Sequence, residues 1–293
     1  MNYYDEIKKE LLNNEITKKV KNYSINKSDL TTYYNIGKLL KEAGKHYGEG
    51  IIKEYSKRLT SEFGKGYTMT NLKYFRQFYV FTKSHTVCDQ LSWSHYRTLL
   101  SLSDENTIEY YIKIIIEQNL SVRELRERIK NKKYERLDEE TKNKLKNKEE
   151  LKLPDLVKNP IQIKNKRGHN EISEKVLQKL ILEDIPSFLD ELGNGFTFVR
   201  NEYKIKIGDR YNYIDLLLFN YEFNCFVVVE LKVTELKKEH IGQIEFYMNY
   251  IDKNIKNINQ DKTIGIIICK KENKYVIEYC SDGRIIARKY ELV

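Results

Sequence analysis

Apolar positions recur three and four residues apart through the first half of the chain, and that spacing predicts helices. Residues 1–23 show the pattern weakly, Asp29 to Ala43 more strongly, and Ile51 to Phe63, Asn71 to Phe81 and Tyr110 to Gln118 repeat it. Ser121 and Glu124 stand at capping-box spacing, in which each side chain satisfies a backbone N–H of the other residue, so a helix is expected from Ser121 through Ile129. From Lys130 to Lys152 the apolar positions thin into a run of Lys, Glu, Asn and Asp. Such a run reads either as a solvated helix or as a flexible tether. The segment PDLVKNP, Pro154 to Pro160, then punctuates the chain.

The pattern changes after that break. Glu174 to Leu192 reads as one helix, closed by Gly193. Phe196 to Ile207, Tyr213 to Phe219 and Cys225 to Lys232 are rich in Val, Ile, Phe and Tyr and read as strands, with turns at 208–210 and 220–224. Leu236 to Ile251 returns to helical spacing, with Ile244, Tyr247, Met248 and Ile251 on one stripe. Two further strands are expected at Thr263 to Lys270 and Lys274 to Cys280. Helix, three strands, helix and two strands in that order predict a mixed α/β domain behind an α-helical half. The expected division is a helical domain at 1–135, a charged linker at 136–165 and an α/β domain at 166–293.

Composition narrows the picture. With 293 residues, 40% hydrophobic and 32% charged, the chain has the size and make-up of two globular domains. Lys and Arg number 52 against 43 Asp and Glu, a formal charge of +9. That surplus suits a polyanionic partner, and it equally suits plain solubility. Cys88, Cys225, Cys269 and Cys280 have no metal-ligand spacing and read as buried free thiols of a reducing compartment. The stretch MNYYDEIKKELLNN has no apolar signal-peptide core, and the longest apolar runs are too short to cross a bilayer, so a cytoplasmic protein is expected.

Two apolar strands carry charge where charge is costly. Asp215 interrupts YNYIDLLLF, and Glu230 and Lys232 end CFVVVELK. Charges in buried strands are normally paired or hold a metal. Glu230 and Lys232 are two apart and so share a face, and a hairpin-length connection lets Asp215 lie beside Glu230. Two carboxylates and an ammonium then meet at one spot. Mg2+ or Mn2+ takes such oxygen ligands, lowers the pKa of water and stabilises charge building on a phosphoryl group. An adjacent Lys can orient or help deprotonate the attacking water. A buried ion-pair network that only sets strand register is the competing reading.

The D-x14-E-x-K arrangement resembles the PD-(D/E)XK nuclease superfamily. FLDELGNGFTFV, YIDLLLFN, CFVVVELK and HIGQIEFYMNYID resemble the C-terminal domain of the bacterial YhcG-like nucleases. In the first half, YYNIGKLL, YSKRLTSEFGKGYTMTNLKYFRQFY, LSWSHYRTLL and SVRELRERI resemble the same family's helical domain. The resemblance implies a restriction-endonuclease-like α/β fold, a mixed central sheet flanked by helices. It implies a Mg2+- or Mn2+-dependent nuclease acting on DNA in bacterial DNA processing, restriction or defence, and a possible homodimer. The alternative is a catalytically inactive nuclease fold that binds DNA or assembles with partners. Asp215, Glu230 and Lys232 occupy the motif positions, with Ile214 where many relatives have Pro. Gln243 matches a Gln near the active site of such nucleases. An upstream acidic ligand is expected on the preceding helix, with Glu183 and Glu174 as candidates and Gln178 at a position where an acid would be expected.

In the helical half, GKGYTMTNLKYFRQFYVF resembles the second part of a helix-turn-helix unit, with Thr70 as the expected N-cap. Leu72, Phe75 and Tyr79 form its core stripe, and Lys65, Lys73, Arg76 and Gln77 are the candidate nucleic-acid contacts. An ordinary amphipathic helix with a solvated basic side is the plainer reading. Trp93 and Tyr96 are expected to pack in the helical core, and His240 to be a surface histidine.

Overall fold

The computed structural model describes residues 2–20, 25–83, 90–169, 171–280 and 283–293. Cys88 and residues 21–23 of the expected first helix lie outside them. The chain divides into two compact units, Met1–Asn131 and Lys132–Val293.

The first unit is helical: α1 (Tyr3–Val20), α2 (Ile25–Tyr47), α3 (Gly50–Phe63), α4 (Met69–Phe81), α5 (Trp93–Leu99), α6 (Glu105–Gln118) and α7 (Val122–Lys130), with a short 3-10 turn at Lys65–Tyr67. Ile36, Leu40, Leu59 and Leu72 are fully buried in its core. Gly37 lets α2 and α4 meet, because a Cβ there would stand 2.1 Å from the Phe75 carbonyl oxygen. The capping box at Ser121 forms as expected, with Ser121 N donating to Glu124 Oε2 at 2.8 Å. Thr70 is not the N-cap of α4. The helix begins at Met69, and Thr68, extended at φ −61° and ψ 159°, occupies that place without a side-chain cap. Trp93 packs on Tyr33, Phe75 and Phe78, and Tyr96 is buried.

The second unit contains α8 (Glu139–Asn147), α9 (Leu153–Leu156), β1 (Ile161–Ile163), α10 (Glu174–Glu183), α11 (Ile185–Leu192), β2 (Phe196–Ile207), β3 (Arg210–Asn220), β4 (Cys225–Glu235), α12 (Lys238–Asn254), β5 (Asp261–Lys271), α13 (Lys274–Cys280) and β6 (Ile285–Leu292). The strands form one sheet in the order β1-β6-β5-β4-β3-β2. β2, β3 and β4 are antiparallel neighbours, while β4, β5, β6 and β1 run parallel. Leu177, Leu180, Phe188 and Leu192 of α10 and α11 pack with one sheet face, and Ile244, Met248 and Ile251 of α12 pack with the other. The helical first half and the mixed sheet flanked by helices are as expected. Cys225 and Cys269 are buried free thiols.

Three further sequence expectations are corrected. The helix expected at Glu174 to Leu192 is two, because Asp184 leaves helical geometry, caps α11 by accepting from Ser187 N, and is followed by Pro186 in the first turn. Lys274 to Cys280 is helix α13, and the last strand is β6. β5 already pairs with β4 and β6, and parallel neighbours need a crossover between them, so this segment supplies the crossover. Finally, residues 136–165 are no detached linker. β1 extends the sheet beside β6, Leu153 and Val157 are core residues, and Arg136 forms a buried two-pronged ion pair with Glu191. The charge run spends many of its charges in ion pairs, and apolar Tyr134 and Leu137 are buried among them.

Candidate active site

The β3–β4 ladder runs from Asn220↔Cys225 to Leu216↔Val229 and stops. At the next residue the Asp215 side chain takes over the ladder's work, its Oδ2 accepting from Leu231 N at 2.8 Å. The two strands are therefore held apart at the point where Asp215 and Glu230 face each other. Glu230 and Lys232, two apart on β4, complete the group, with Lys232 Nζ 3.4 Å from Glu230 Oε2. That distance is long for a charge-assisted hydrogen bond, so the ammonium does not saturate the carboxylate.

The helix α10 backs the site. Gln178 donates from Nε2 to the Asp215 carbonyl oxygen at 3.1 Å and fixes the β3 backbone there. One turn earlier on the same face, Glu174 Oε2 stands 3.9 Å from Lys232 Nζ. Across the hairpin, the pairs Asn201↔Leu216 and Tyr203↔Ile214 put Glu202 opposite Asp215, at a positive φ of 45°.

Glu230 is 2% exposed, and its Oε1 is buried with no hydrogen-bond partner. Burial, reinforced by the Asp215 charge, pushes its carboxyl up to about 8 against the opposing pull of Lys232. Burial also raises Asp215; the Leu231 N–H and Lys232 oppose that, and the charges of Glu174 and Glu202 add to it. Two carboxylates that resist ionisation side by side, one with an orphan buried oxygen, are a donor set that a hard cation would satisfy. Among the described residues no group of three or more His, Cys, Asp and Glu side chains is placed to hold a metal ion. The acidic side chains that meet at this spot are thus the pair Asp215 and Glu230.

The remaining candidates fall elsewhere. Glu183 is not beside the pair: it is nine residues beyond Glu174, two and a half helical turns on and so on the far side of α10, and it pairs with Arg167 at 3.1 Å. Gln243 is half-buried on α12, and its hydrogen bond runs along its own helix to Tyr247 Oη at 3.3 Å, not to either carboxylate. His240 is not a free surface residue. It is half-buried, its Nδ1 accepts from Lys237 N at 3.2 Å, and burial lowers its pKa, followed by the charge of Lys232. Glu202 escaped sequence reasoning, although counting outward from the Gly208 and Asp209 turn, where Ile207 pairs with Arg210, places it opposite Asp215. In the first unit, Lys65, Lys73 and Gln77 are exposed. Arg76 is held by Glu49, Nη1 to Oε1 at 2.7 Å, because α3 and α4 bring the two side chains together, and this removes it from the free cations.

Comparison with known proteins gives a family match for each half of the chain. Residues 155–292 match the family described as the YhcG PDDEXK nuclease domain, and residues 7–136 match the DUF1016 N-terminal domain. The chain is 24% identical over 317 aligned residues to the YhcG protein of Escherichia coli (strain K12), covering 92% of this chain and 84% of that one. Among solved structures, a repair endonuclease from Pyrococcus abyssi is 21% identical, with a TM-score of 0.29 over 41% of this chain and 48% of that one. EndoMS in complex with double-stranded DNA is 19% identical, with a TM-score of 0.29 over 43% and 48%. The chain spans about half the length of those two structures.

Proposed function

With a YhcG PDDEXK nuclease domain at 155–292 and a DUF1016 N-terminal domain at 7–136 as the premise, we propose that the chain is a divalent-cation-dependent nuclease that hydrolyses phosphodiester bonds in DNA. The observation that carries this reading is the unpartnered, buried Oε1 of Glu230 beside Asp215. An orphan buried carboxylate oxygen costs stability, and a cation held there would offset that cost.

Asp215 and Glu230 would hold Mg2+ or Mn2+. Such a cation, when bound, supplies positive charge to the scissile phosphate and acidifies water. The chain's own groups do the rest. The Leu231 N–H holds the Asp215 carboxylate in place, and Gln178 holds the backbone beneath it. Lys232, only loosely tied to Glu230 and Glu174, has donors to spare for the attacking water or a non-bridging phosphate oxygen. The formal charge of +9 and the exposed Lys65 and Lys73 support a polyanionic substrate. Bacterial DNA processing, restriction or defence is the setting that the family resemblance suggests.

The test is cleavage of supercoiled, linear and single-stranded DNA in Mn2+ by the wild type and by Asp215→Asn and Lys232→Met. Each variant should lose about a hundred-fold or more in rate while keeping its circular-dichroism spectrum. Undiminished cleavage by both variants defeats the assignment.

A further inference from the structure

The β2–β3 hairpin continues past the site, and its outer face differs from the rest of the sheet. Ile205 and Ile214 turn inward to the core that α12 covers, and Tyr203 and Ile207 pack against it. Alternation therefore sends Tyr211 and Tyr213 to the opposite face of β3, and Asp215 follows Ile214 on the same strand. Their cross-strand neighbours on that face are Lys206, paired with Tyr211, and Lys204, paired with Tyr213. Tyr213 lies about 7 Å along the strand from Asp215, and Tyr211 about 13 Å.

Both rings are over half exposed, 53% for Tyr211 and 51% for Tyr213. Lys204 Nζ sits 3.7 Å from the Tyr211 ring centroid, a cation–π contact that steadies the ring. Among the described residues neither Lys204 nor Lys206 is paired with an acid, in contrast to Arg76 and to the lysines around Glu191. Two ammonium groups without an acidic partner and two exposed tyrosines thus line the hairpin along the strand that carries Asp215.

We propose that this hairpin face is the track for an unpaired nucleic-acid strand, with bases stacking on Tyr211 and Tyr213 and phosphates meeting Lys204 and Lys206, so that the strand is led to Asp215 and Glu230. The inference rests on reading that pair as the nuclease centre. Charge complementarity selects a polyanion, and the rings select the form. A duplex keeps its base faces stacked inside, whereas every unpaired base offers one to an aromatic ring. The preferred substrates are single strands, or junctions and flaps in which a single strand reaches the site.

The experiment uses the full chain in a chelating buffer, where nothing is cut, and follows the anisotropy of fluorescein-labelled oligo(dT) and of a labelled duplex of equal length. The double variant Tyr211→Ala/Tyr213→Ala should weaken oligo(dT) binding by about ten-fold or more. It should leave duplex binding unchanged, and Tyr211→Phe/Tyr213→Phe should restore oligo(dT) binding. Both rings are exposed, so these variants fold. No loss with the alanine variant, or an equal loss for strand and duplex, overturns the proposal. If the wild type cuts nothing in Mn2+ while the tyrosine effect holds, the nuclease reading fails and the track stands. If cutting persists without a tyrosine effect, the track fails and the nuclease stands.

Discussion

Glu230 concentrates the cost of the site in one side chain. The folded protein keeps its proton up to pH about 8, whereas an unfolded chain releases it near ~4.3. The folded state therefore binds the extra proton between those values, and stability falls as pH rises through that window. In cation-free buffer, Glu230→Gln should raise Tm above wild type near pH about 8, with the gain vanishing near pH about 4. Mn2+ should raise the Tm of the wild type far more than that of the variant. Thermal scans across pH decide this, and a variant less stable than wild type at the alkaline end would contradict it. The motif residues were legible because charge in an apolar strand is conspicuous. Glu202 was not, nor was the bond from Gln178 to the Asp215 carbonyl, since one depends on the exact hairpin register and the other on which face of α10 meets β3.

At the scale of elements, the segment before β1 is joined to the helices that cover the sheet by buried charge. Lys133, Arg136 and Lys158 converge on the α11 end, where Arg136 grips the Glu191 carboxylate and Lys158 donates to the Asp190 and Glu191 carbonyl oxygens. Glu191→Ala would leave these cations buried with too little compensation, which costs about 3–5 kcal/mol for a broken buried pair. Urea titration should show that loss, and limited proteolysis should open sites within residues 136–163. An unchanged midpoint would mean that the apolar contacts of Leu153 and Val157 suffice. The same segment shows why its sequence misled. Lysines and glutamates signal solvent by composition, and only the fold reveals that Lys133 and Arg136 find their partners in Asp190 and Glu191, far along the chain. The misread strand at Lys274 to Cys280 has a similar origin: Val276 and Ile277 favour a strand locally, but α13 is imposed by the parallel neighbours β5 and β6.

For the whole molecule, the charge surplus predicts binding that depends on ionic strength. Affinity for duplex DNA should fall linearly on a log–log plot against salt, with a slope of about −0.9 per phosphate neutralised. Lys73→Ala should reduce that slope by about one unit, and Arg76→Ala, whose guanidinium is already engaged by Glu49, by less. A slope near zero for the wild type, measured by filter binding, would remove the first unit's basic residues from any role in DNA affinity. No helix among the described residues is long and apolar enough to cross a membrane.

Local pattern was enough to establish the helical half, the three antiparallel strands β2, β3 and β4, the helix behind them and the placing of Asp215 beside the end of the strand that carries Glu230 and Lys232. Each of those depends on the period of side chains along one element or on a short turn, and such short-range rules are written in neighbouring residues. Long-range packing settled the rest: the place of β6, the capture of residues 136–163, the exclusion of Glu183 and the neutralisation of Arg76. Those outcomes turn on which distant surfaces meet, and a linear chain does not display that until its core has closed.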